Sequence, residues 1–198
     1  MYLYGASGHG KVIVEIVEEL GIKLEGFIDN NPALQKVFQY PVIHEVPSEG
    51  QVFLSLGNNA TRKKIVEQNP NFEYPVLIHP RTIISKRTSV DEGTVIMPNV
   101  TINSEVKIGK HCIINTSASI DHECQIADFV HISPNVALAG DVEVGEGTHI
   151  GISATVIQGI KIGKWCTIGA GAVIIRDIPD YAVVVGNPGK IIKYNSHK

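Results

Sequence analysis

A histidine with an acidic neighbour and a glycine eighteen positions further along are the residues best suited to chemistry: His122, Glu123 and Gly140. A histidine accepts a proton near neutral pH, and a backbone amide with no side chain beside it can donate a hydrogen bond to a developing oxyanion. Acyl transfer to an amine needs both groups within reach of the reacting carbonyl. The alternative is structural, since an outward histidine is often solvated surface and a glycine often relieves a tight corner.

Two further histidines, His131 and His149, are also eighteen residues apart, as are Asn115 and Ser133. If eighteen residues make one turn of a repeating coil, the members of each pair lie in one column. Stacked histidines could bind zinc between subunits, but zinc takes three or four protein ligands and no third histidine stands at a suitable spacing. We therefore predict no metal site.

A glycine-rich turn at residues 5–10 (GASGHG) follows a predicted strand and opens a predicted helix. Amides at a helix N-terminus favour phosphate, and Asp29, at the end of the next predicted strand, suits a ribose hydroxyl. The pattern is G-x-x-G-x-G rather than the dinucleotide fingerprint G-x-G-x-x-G. We expect a nucleotide or sugar-phosphate ligand; the alternative is a turn whose glycines only allow close packing.

The predicted elements around this turn are, in chain order, a strand, the glycine turn itself, a helix and a second strand. Apolar spacing, glycine breaks and turn residues predict strands over 1–4, 24–28 and 51–56 and helices over 11–20 and 61–68. Such a βαβ unit is half of a doubly wound fold. The whole segment, about 76 residues, is too short for a complete two-half dinucleotide domain, which argues against NAD.

The rest of the chain carries a six-residue repeat. All seventeen positions reached in steps of six from Ile78 to Ile174 are Ile, Val or Leu. A small or β-branched residue stands four positions after each, and the position directly after each often carries Gly, Asn or Asp, where we expect unusual backbone angles. Three such units close an eighteen-residue coil whose strands stack at about 4.8 Å.

The three cysteines, Cys112, Cys124 and Cys166, all stand at the small inward position of the repeat. Cys112 and Cys166 are three coils apart, and Cys124 lies on another face. We therefore predict buried structural thiols with no disulfide, no catalytic nucleophile and no metal role.

Composition excludes several functional classes. The 198 residues hold 17 Lys and Arg against 20 Asp and Glu, a net charge of −3, which gives no basic field for nucleic acid or an anionic membrane. No apolar run approaches the roughly 18 residues that span a bilayer. We expect a soluble, cytoplasmic protein.

Three stretches carry a resemblance to a known family: 4–10 (YGASGHG), 57–64 (GNNATRKK) and 115–140 (NTSASIDHECQIADFVHISPNVALAG). Together they resemble the NeuD/PglD-type acyltransferases, acetyl-CoA-dependent sugar O- and N-acetyltransferases. The resemblance implies a Rossmann-like nucleotide-sugar-binding domain at 1–76, a hexapeptide-repeat left-handed parallel β-helix at 77–182 and a tail at 183–198. The left-handed sense comes from the resemblance and not from the spacing.

The third stretch is most similar to the PglD branch, which acetylates the 4-amino group of a UDP-linked 4-amino-4,6-dideoxy sugar. By this resemblance His122 is the general base, Glu123 orients it and Gly140 offers its amide to the thioester oxygen. Transfer is then direct, without an acyl-enzyme. The family's sites lie between subunits of a homotrimer, with His131 and Asn115 at the thioester.

The resemblance also implies the ligand contacts. Residues expected to bind acetyl-CoA as co-substrate lie in the later coils and the closing segment: Asn115, His131, Gly140, His149, Gly151, Gly169, Gly186, Pro188 and Lys190. Residues expected to hold the nucleotide-linked amino sugar lie in the N-terminal domain: Gly5, Ser7, Gly8, His9, Gly10, Asp29, Asn30, Gly57, Asn58, Asn59 and Arg62.

Two other functions remain open from the sequence. One is sialic-acid O-acetylation of the NeuD type, which would use a free hydroxylated sugar. The other is a non-catalytic scaffold, although the repeated outward threonine columns of ice-binding β-helices are absent from this sequence.

Overall fold

The computed structural model describes residues 1–196, so the last two residues of the expected tail, 197 and 198, lie outside the described residues. Its N-terminal part is an α/β unit with a six-stranded sheet in the order β3-β4-β2-β1-β5-β6, parallel except for the β3–β4 pair. Its elements are β1 Tyr2–Tyr4, α1 Gly8–Glu19, β2 Gly26–Ile28, β3 Lys36–Val37, β4 Tyr40–Ile43, β5 Gly50–Leu54, α2 Asn59–Gln68 and β6 Phe72–Glu73.

Both predicted helices form, and both begin earlier than the apolar pattern alone indicated. Helix α1 begins at Gly8 rather than at residue 11, so the end of the glycine turn is its first turn. Helix α2 begins at Asn59 rather than at residue 61, because the side chain of Asn58 accepts a hydrogen bond from the Thr61 amide at 2.9 Å and caps it. The strands β3, β4 and β6 were not predicted.

From Leu77 onward the chain winds into a left-handed β-helix of about six eighteen-residue turns with three parallel sheets, here called faces 1, 2 and 3. Face 1 contains β7 Leu77–Ile78, β10 Val95–Ile96, β13 Ile113–Ile114, β16 His131–Ile132, β19 His149–Ile150, β22 Thr167–Ile168, β24 Ala182–Val185 and the antiparallel β25 Lys190–Tyr194.

Face 2 contains β8 Ile83–Ile84, β11 Thr101–Ile102, β14 Ser119–Ile120, β17 Ala137–Leu138, β20 Thr155–Val156 and β23 Val173–Ile174. Face 3 contains β9 Ser89–Val90, β12 Lys107–Ile108, β15 Gln125–Ile126, β18 Glu143–Val144 and β21 Lys161–Ile162. The corners between faces are called edge 1–2, edge 2–3 and edge 3–1.

Each strand pairs with strands eighteen residues away, as in Ile96 with Ile114 and Ile114 with Ile132. These three side chains are fully buried, so the sixth-position residues form the core, as the repeat predicted. The small inward position holds the cysteines, whose three thiols are buried and free of disulfides.

The expected corner geometry was wrong in one respect. We placed the unusual backbone angles directly after each core residue, at positions such as Gly109 and Gly151. The structure places the positive φ two residues later, as at His111 with φ 54° and Ser153 with φ 57°. Glycine is required at positions 109 and 151 for a steric reason instead. A Cβ at Gly109 or Gly151 would lie 2.3 Å or 2.6 Å, respectively, from atoms of the next coil.

No helix within residues 1–196 is both long and apolar enough to cross a membrane.

Candidate functional site

His122, Glu123 and Gly140 lie together on edge 2–3, as the eighteen-residue spacing predicted. The Nδ1 atom of His122 lies 2.8 Å from a carboxylate oxygen of Glu123, and the side chains are 56% and 59% exposed. The hydrogen bond to Glu123, followed by the charges of Asp121, Glu123 and Asp141, raises the pKa of His122. The carboxylate therefore fixes the ring and leaves Nε2 as the atom available for a proton.

Gly140 lies against the face of the His122 ring, one coil further along. A Cβ at Gly140 would lie 2.5 Å from Cε1 and 2.6 Å from Nε2 of His122, so only glycine leaves the ring in this position. Its φ is not positive, so room and not backbone conformation requires glycine. Among the described residues the Gly140 amide donates to no group, which leaves it free for an oxyanion beside the base.

Asn115 and His131 lie at edge 1–2 and on face 1, and the same arrangement recurs one coil later. Nδ2 of Asn115 lies 3.3 Å from Nε2 of His131, and the Ser133 hydroxyl lies 2.9 Å from Nε2 of His149. The two imidazole rings stack with centroids 4.7 Å apart and planes 7° apart. The predicted columns are thus confirmed as spatial neighbours.

These histidines are held neutral at physiological pH. Burial, followed by the charges of His149, Arg62 and His9, lowers the pKa of His131 to about 3. Burial, followed by the charge of Arg62, lowers the pKa of His149 as well and lowers that of His9 to about 4. The buried atoms Nδ1 of His131 and Nε2 of His9 have no hydrogen-bond partner in residues 1–196. The rings are therefore neutral polar groups at the junction of the two parts, and these two nitrogen atoms are themselves closed off from solvent.

The glycine turn packs tightly and leaves the N-terminus of α1 open. Gly5 has φ 112°, and a Cβ there would lie 2.5 Å from the Leu56 side chain. A Cβ at Gly10 would lie 2.4 Å from the Gly5 carbonyl oxygen, whereas Gly8 has open space. Ser7 is the N-cap residue but makes no side-chain cap hydrogen bond, so the first amides of α1 are available to an anion.

Asp29 lies at the end of β2 beside this turn. One of its carboxylate oxygens accepts a hydrogen bond from the Ala6 amide at 2.9 Å, and the other accepts one from the Asn31 amide at 3.0 Å. The carboxylate therefore holds the turn in place, and Asn30 next to it is exposed. Carboxylate oxygens accept more than one hydrogen bond each, so this role leaves capacity for a ribose hydroxyl.

The segment from Gly57 to Arg62 joins the two parts of the molecule. Gly57 and Asn58 are exposed, whereas Asn59 donates from Nδ2 to the Gly147 carbonyl at 2.9 Å and its buried Oδ1 has no partner in residues 1–196. Arg62 is 2% exposed. A pocket of about 810 Å³ opens between the first turns of α2 and the coils that carry His149 and Trp165.

Two of the glycines expected at the coenzyme, Gly151 and Gly169, lie along edge 1–2 in the column that contains Asn115 and Ser133. A Cβ at Gly151 would lie 2.6 Å from the Ile168 carbonyl, and one at Gly169 would lie 2.8 Å from the Val185 side chain. Gly186, with φ 97°, follows β24, and Pro188 and Lys190 lie in and after the turn to β25. Most of the expected coenzyme residues thus lie along edge 1–2 or on face 1 next to it. Gly140 lies on edge 2–3, at the other side of face 2.

The structure brings the predicted residues together in three groups. The glycine turn, Asp29 and the 57–62 segment lie in the N-terminal part, the Asn115 column lies on face 1 and edge 1–2, and His122 lies on edge 2–3. His122 and Asn115 are at opposite ends of β14 in one chain. Within residues 1–196 no group of three or more His, Cys, Asp and Glu side chains is arranged to hold a metal ion.

Two features of the site were not predicted. Asn103 donates to Asp121 at 2.6 Å, and Asp121 in turn accepts from the His122 amide, which secures the corner that carries His122. Asn103 and Asp121 are eighteen residues apart, so the column rule could have found this pair. The burial of Arg62 had no signal in the sequence, where it begins a run of three cations.

Comparison with known proteins identifies both parts of the chain. Residues 1–69 match the model of the PglD N-terminal domain, and residues 141–176 match the bacterial transferase hexapeptide model of six repeats. A variant of perosamine N-acetyltransferase from Caulobacter crescentus, in complex with CoA and GDP-perosamine, is 32% identical with a TM-score of 0.91 over 97% of this chain and 96% of that one.

Two other solved structures share the whole architecture. The acetyltransferase domain of PglB from Neisseria gonorrhoeae in complex with acetyl coenzyme A is 36% identical with a TM-score of 0.90, covering 96% of this chain and 98% of that one. WeeI from Acinetobacter baumannii is 26% identical with a TM-score of 0.86, also over 96% of this chain and 98% of that one.

Proposed function

The chain belongs to the hexapeptide-repeat sugar acetyltransferases that carry a PglD N-terminal domain, and from this premise we propose that it acetylates the 4-amino group of a nucleotide-linked 4-amino-4,6-dideoxy sugar. Acetyl-CoA is the donor. The resemblance of residues 115–140 to the PglD branch favours UDP as the nucleotide, whereas the Caulobacter relative was solved with a GDP-linked sugar.

The arrangement of His122 over Gly140 is the observation that carries the proposal. The neutral amine attacks the thioester carbonyl, and Nε2 of His122 accepts the amine proton while Glu123 holds Nδ1. The free Gly140 amide donates to the oxyanion of the tetrahedral intermediate. Collapse of the intermediate expels the CoA thiolate, which takes the proton from His122.

Direct transfer is supported by the state of the cysteines. Cys112 and Cys124 are fully buried and Cys166 is 1% exposed. Burial raises the pKa of all three thiols, that of Cys112 to about 12. A thiol that is neither exposed nor ionised is unsuited to attack a thioester, so no acyl-enzyme is part of the mechanism.

A homotrimer completes the site in this proposal. His122 with Gly140 lies on edge 2–3, and Asn115 with His131 lies at edge 1–2 and on face 1 of the same chain, so one copy does not bring both groups around a single thioester. Edge 2–3 of one subunit placed against edge 1–2 of the next would do so. A closed ring of three such contacts leaves three equal sites.

The test is CoA release from acetyl-CoA with a panel of acceptors: a UDP-linked 4-amino-4,6-dideoxy sugar, its 4-epimer, GDP-perosamine and free sialic acid. Turnover with a UDP-amino sugar, lost about 10²–10⁴-fold in His122→Ala, is the expected result. Turnover only with sialic acid would make the protein an O-acetyltransferase. A His122→Ala variant with a near-wild-type kcat would refute the base.

A further inference from the structure

Arg62 joins the two parts of the molecule through main-chain carbonyls. Its Nη1 donates to the Leu56 carbonyl at 3.1 Å and the Gly57 carbonyl at 3.2 Å, both in the loop before α2. Its Nε donates to the His111 carbonyl at 3.1 Å, and its Nη2 donates to the Phe129 carbonyl at 3.0 Å. One side chain thus connects the loop to two neighbouring coils at edge 3–1.

The Arg62 charge has no acidic partner among the described residues. None of the ion pairs formed within residues 1–196 includes Arg62, although its side chain is 2% exposed. Burial lowers its pKa to about 10, so the guanidinium remains a cation at neutral pH. A buried cation without a carboxylate is costly, and an anion bound nearby would offset that cost.

The neighbours of this cation belong to the ligand-binding groups described above. Its charge contributes to the lowered pKa values of His9, in the glycine turn, and of His131. Phe129, whose carbonyl it holds, is two residues before His131 in the chain. Gly57, whose carbonyl it also holds, leads directly into the N-terminus of α2. Arg62 therefore lies between the Gly57 loop and the coil that leads into His131, near enough to the glycine turn for its charge to act on His9.

Helix α2 makes further contacts with the same edge, one on each side of Arg62 in the sequence. Asn59 donates to Gly147, and Lys63 forms an ion pair with Glu146. The docking side of α2 is thus polar and spans three successive coils, from His111 to Gly147. Hydrogen bonds of defined direction set the angle of α2 more strictly than an apolar contact of equal size would.

Resting on the proposed function, we propose that Arg62 is a positioning residue for the nucleotide-linked acceptor. It holds the Gly57 loop against the coil that leads into His131, and it supplies a fixed positive charge beneath the diphosphate without touching the substrate. The coenzyme glycines Gly151 and Gly169 lie along edge 1–2, on the other side of face 1 from Arg62, so acetyl-CoA binding should depend on Arg62 less than sugar-nucleotide binding does.

The test compares Arg62→Met and Arg62→Lys with Lys36→Met. Lys36 is an exposed cation in β3, the edge strand of the N-terminal sheet that lies farthest from β5 and β6, the strands before and after α2 in the chain. Affinities for UDP and GDP are measured by calorimetry, and KM values for both substrates are measured in the full protein. We expect Arg62→Met to weaken the nucleoside diphosphate and to raise the KM of the sugar nucleotide by roughly 10- to 100-fold. The KM of acetyl-CoA and all values of Lys36→Met should stay within about 2-fold. Arg62→Lys, which keeps the charge and loses the fork of donors, should be intermediate.

Other outcomes overturn the inference. Equal increases in both KM values, or a lower Tm with unchanged nucleotide affinity, would mean that Arg62 only stabilises the fold. If Arg62→Met does not fold, Arg62→Lys decides the question. A folded Arg62→Lys protein that binds nucleotide as tightly as the wild type would show that the hydrogen bonds of the Arg62 guanidinium do not position the Gly57 loop. Absence of UDP and GDP binding to the wild-type protein would overturn the proposed function together with this inference.

Discussion

Replacing Gly140 by alanine tests the close packing of Gly140 against the ring of His122, the proposed base. The new Cβ would lie 2.5 Å from Cε1 and 2.6 Å from Nε2 of His122. Carbon atoms in contact prefer about 3.5 Å, so the ring must move by about 1 Å. The backbone itself accepts the change, since φ at Gly140 is not positive, and the amide hydrogen is retained.

A displacement of this size at a reacting group costs on the order of 10²-fold in rate, which is about 2.7 kcal/mol of transition-state stabilisation. We therefore expect kcat for Gly140→Ala to fall about 100-fold. The Tm should change little, because the exposed His122 ring can move into solvent. The assay is the initial rate of CoA release at saturating acetyl-CoA and acceptor, with circular dichroism for the Tm.

The matched control is the same substitution in a His122→Ala background. With the ring removed, Gly140→Ala has nothing to displace, and the two changes should be strongly non-additive. A wild-type kcat for Gly140→Ala would refute the reasoning. A full additional loss in the His122→Ala background would show that the alanine disturbs the amide or the coenzyme rather than the base.

Three further predictions concern ionisation. Glu123→Gln removes the charge that raises the pKa of His122, so the acidic limb of the kcat/KM profile should move to lower pH; an unchanged limb would mean that His122 is not the titrating base. Cys124→Ala should keep kcat within about 3-fold of the wild type, because this buried thiol has a raised pKa and takes no part in the reaction, although it is two residues after His122. Complete loss of turnover in the folded variant would contradict direct transfer. Burial lowers the pKa of His111 from 6.5 to about 4, so the contribution of this neutral ring to stability is full above pH 6.5 and is lost as the pH falls toward 4. Over this pH range the Tm of His111→Phe should therefore fall less than the Tm of the wild type. Parallel curves of Tm against pH would refute the assignment.

The columns of the β-helix could be predicted because sequence number is almost a spatial coordinate in this fold. Every eighteen residues return the chain to the same place one strand spacing along, and the uninterrupted run from Ile78 to Ile174 shows that no insertion shifts the register. His122 and Gly140, and likewise His131 and His149, could therefore be paired before any coordinate was known. The residue types made a proton acceptor and an oxyanion donor the hypothesis for the first pair, and the family resemblance supplied the expected role of the second pair at the coenzyme.

The contacts between the two parts could not be predicted in this way. Arg62 bonds to carbonyls 49 and 67 residues away, across a junction where neither the helix period nor the six-residue repeat holds. Its sequence context, three consecutive cations, is typical of an exposed helix surface. The burial of His111 between Tyr74 and Phe129 arises at the same junction, with ring centroids 4.8 Å and 5.1 Å away. Tertiary packing, and not local pattern, decides the environment of these residues.

The separation of His122 from His131 in one chain leads to a complementation experiment. If each site takes His122 from one subunit and His131 from the next, His122→Ala and His131→Ala subunits can repair each other in a mixed trimer. A site is intact only where a His131→Ala subunit supplies the base and a His122→Ala subunit supplies the stacked histidine face. With equal amounts and random mixing, each condition has a probability of about one half, so roughly one quarter of the sites should work.

The two variants are purified and assayed alone, then unfolded together, refolded and assayed for CoA release against a refolded wild type. Recovery of about 25% of the wild-type rate would match sites built from two neighbouring chains. No recovery in a mixture that light scattering shows to be trimeric would mean that both histidines of a working site belong to one chain. In that case His122 on edge 2–3 and Asn115 on edge 1–2 of the same chain would have to act on one acetyl group across face 2. The acetyl group would then lie over face 2, where Ser119 and Ala137 present only small side chains.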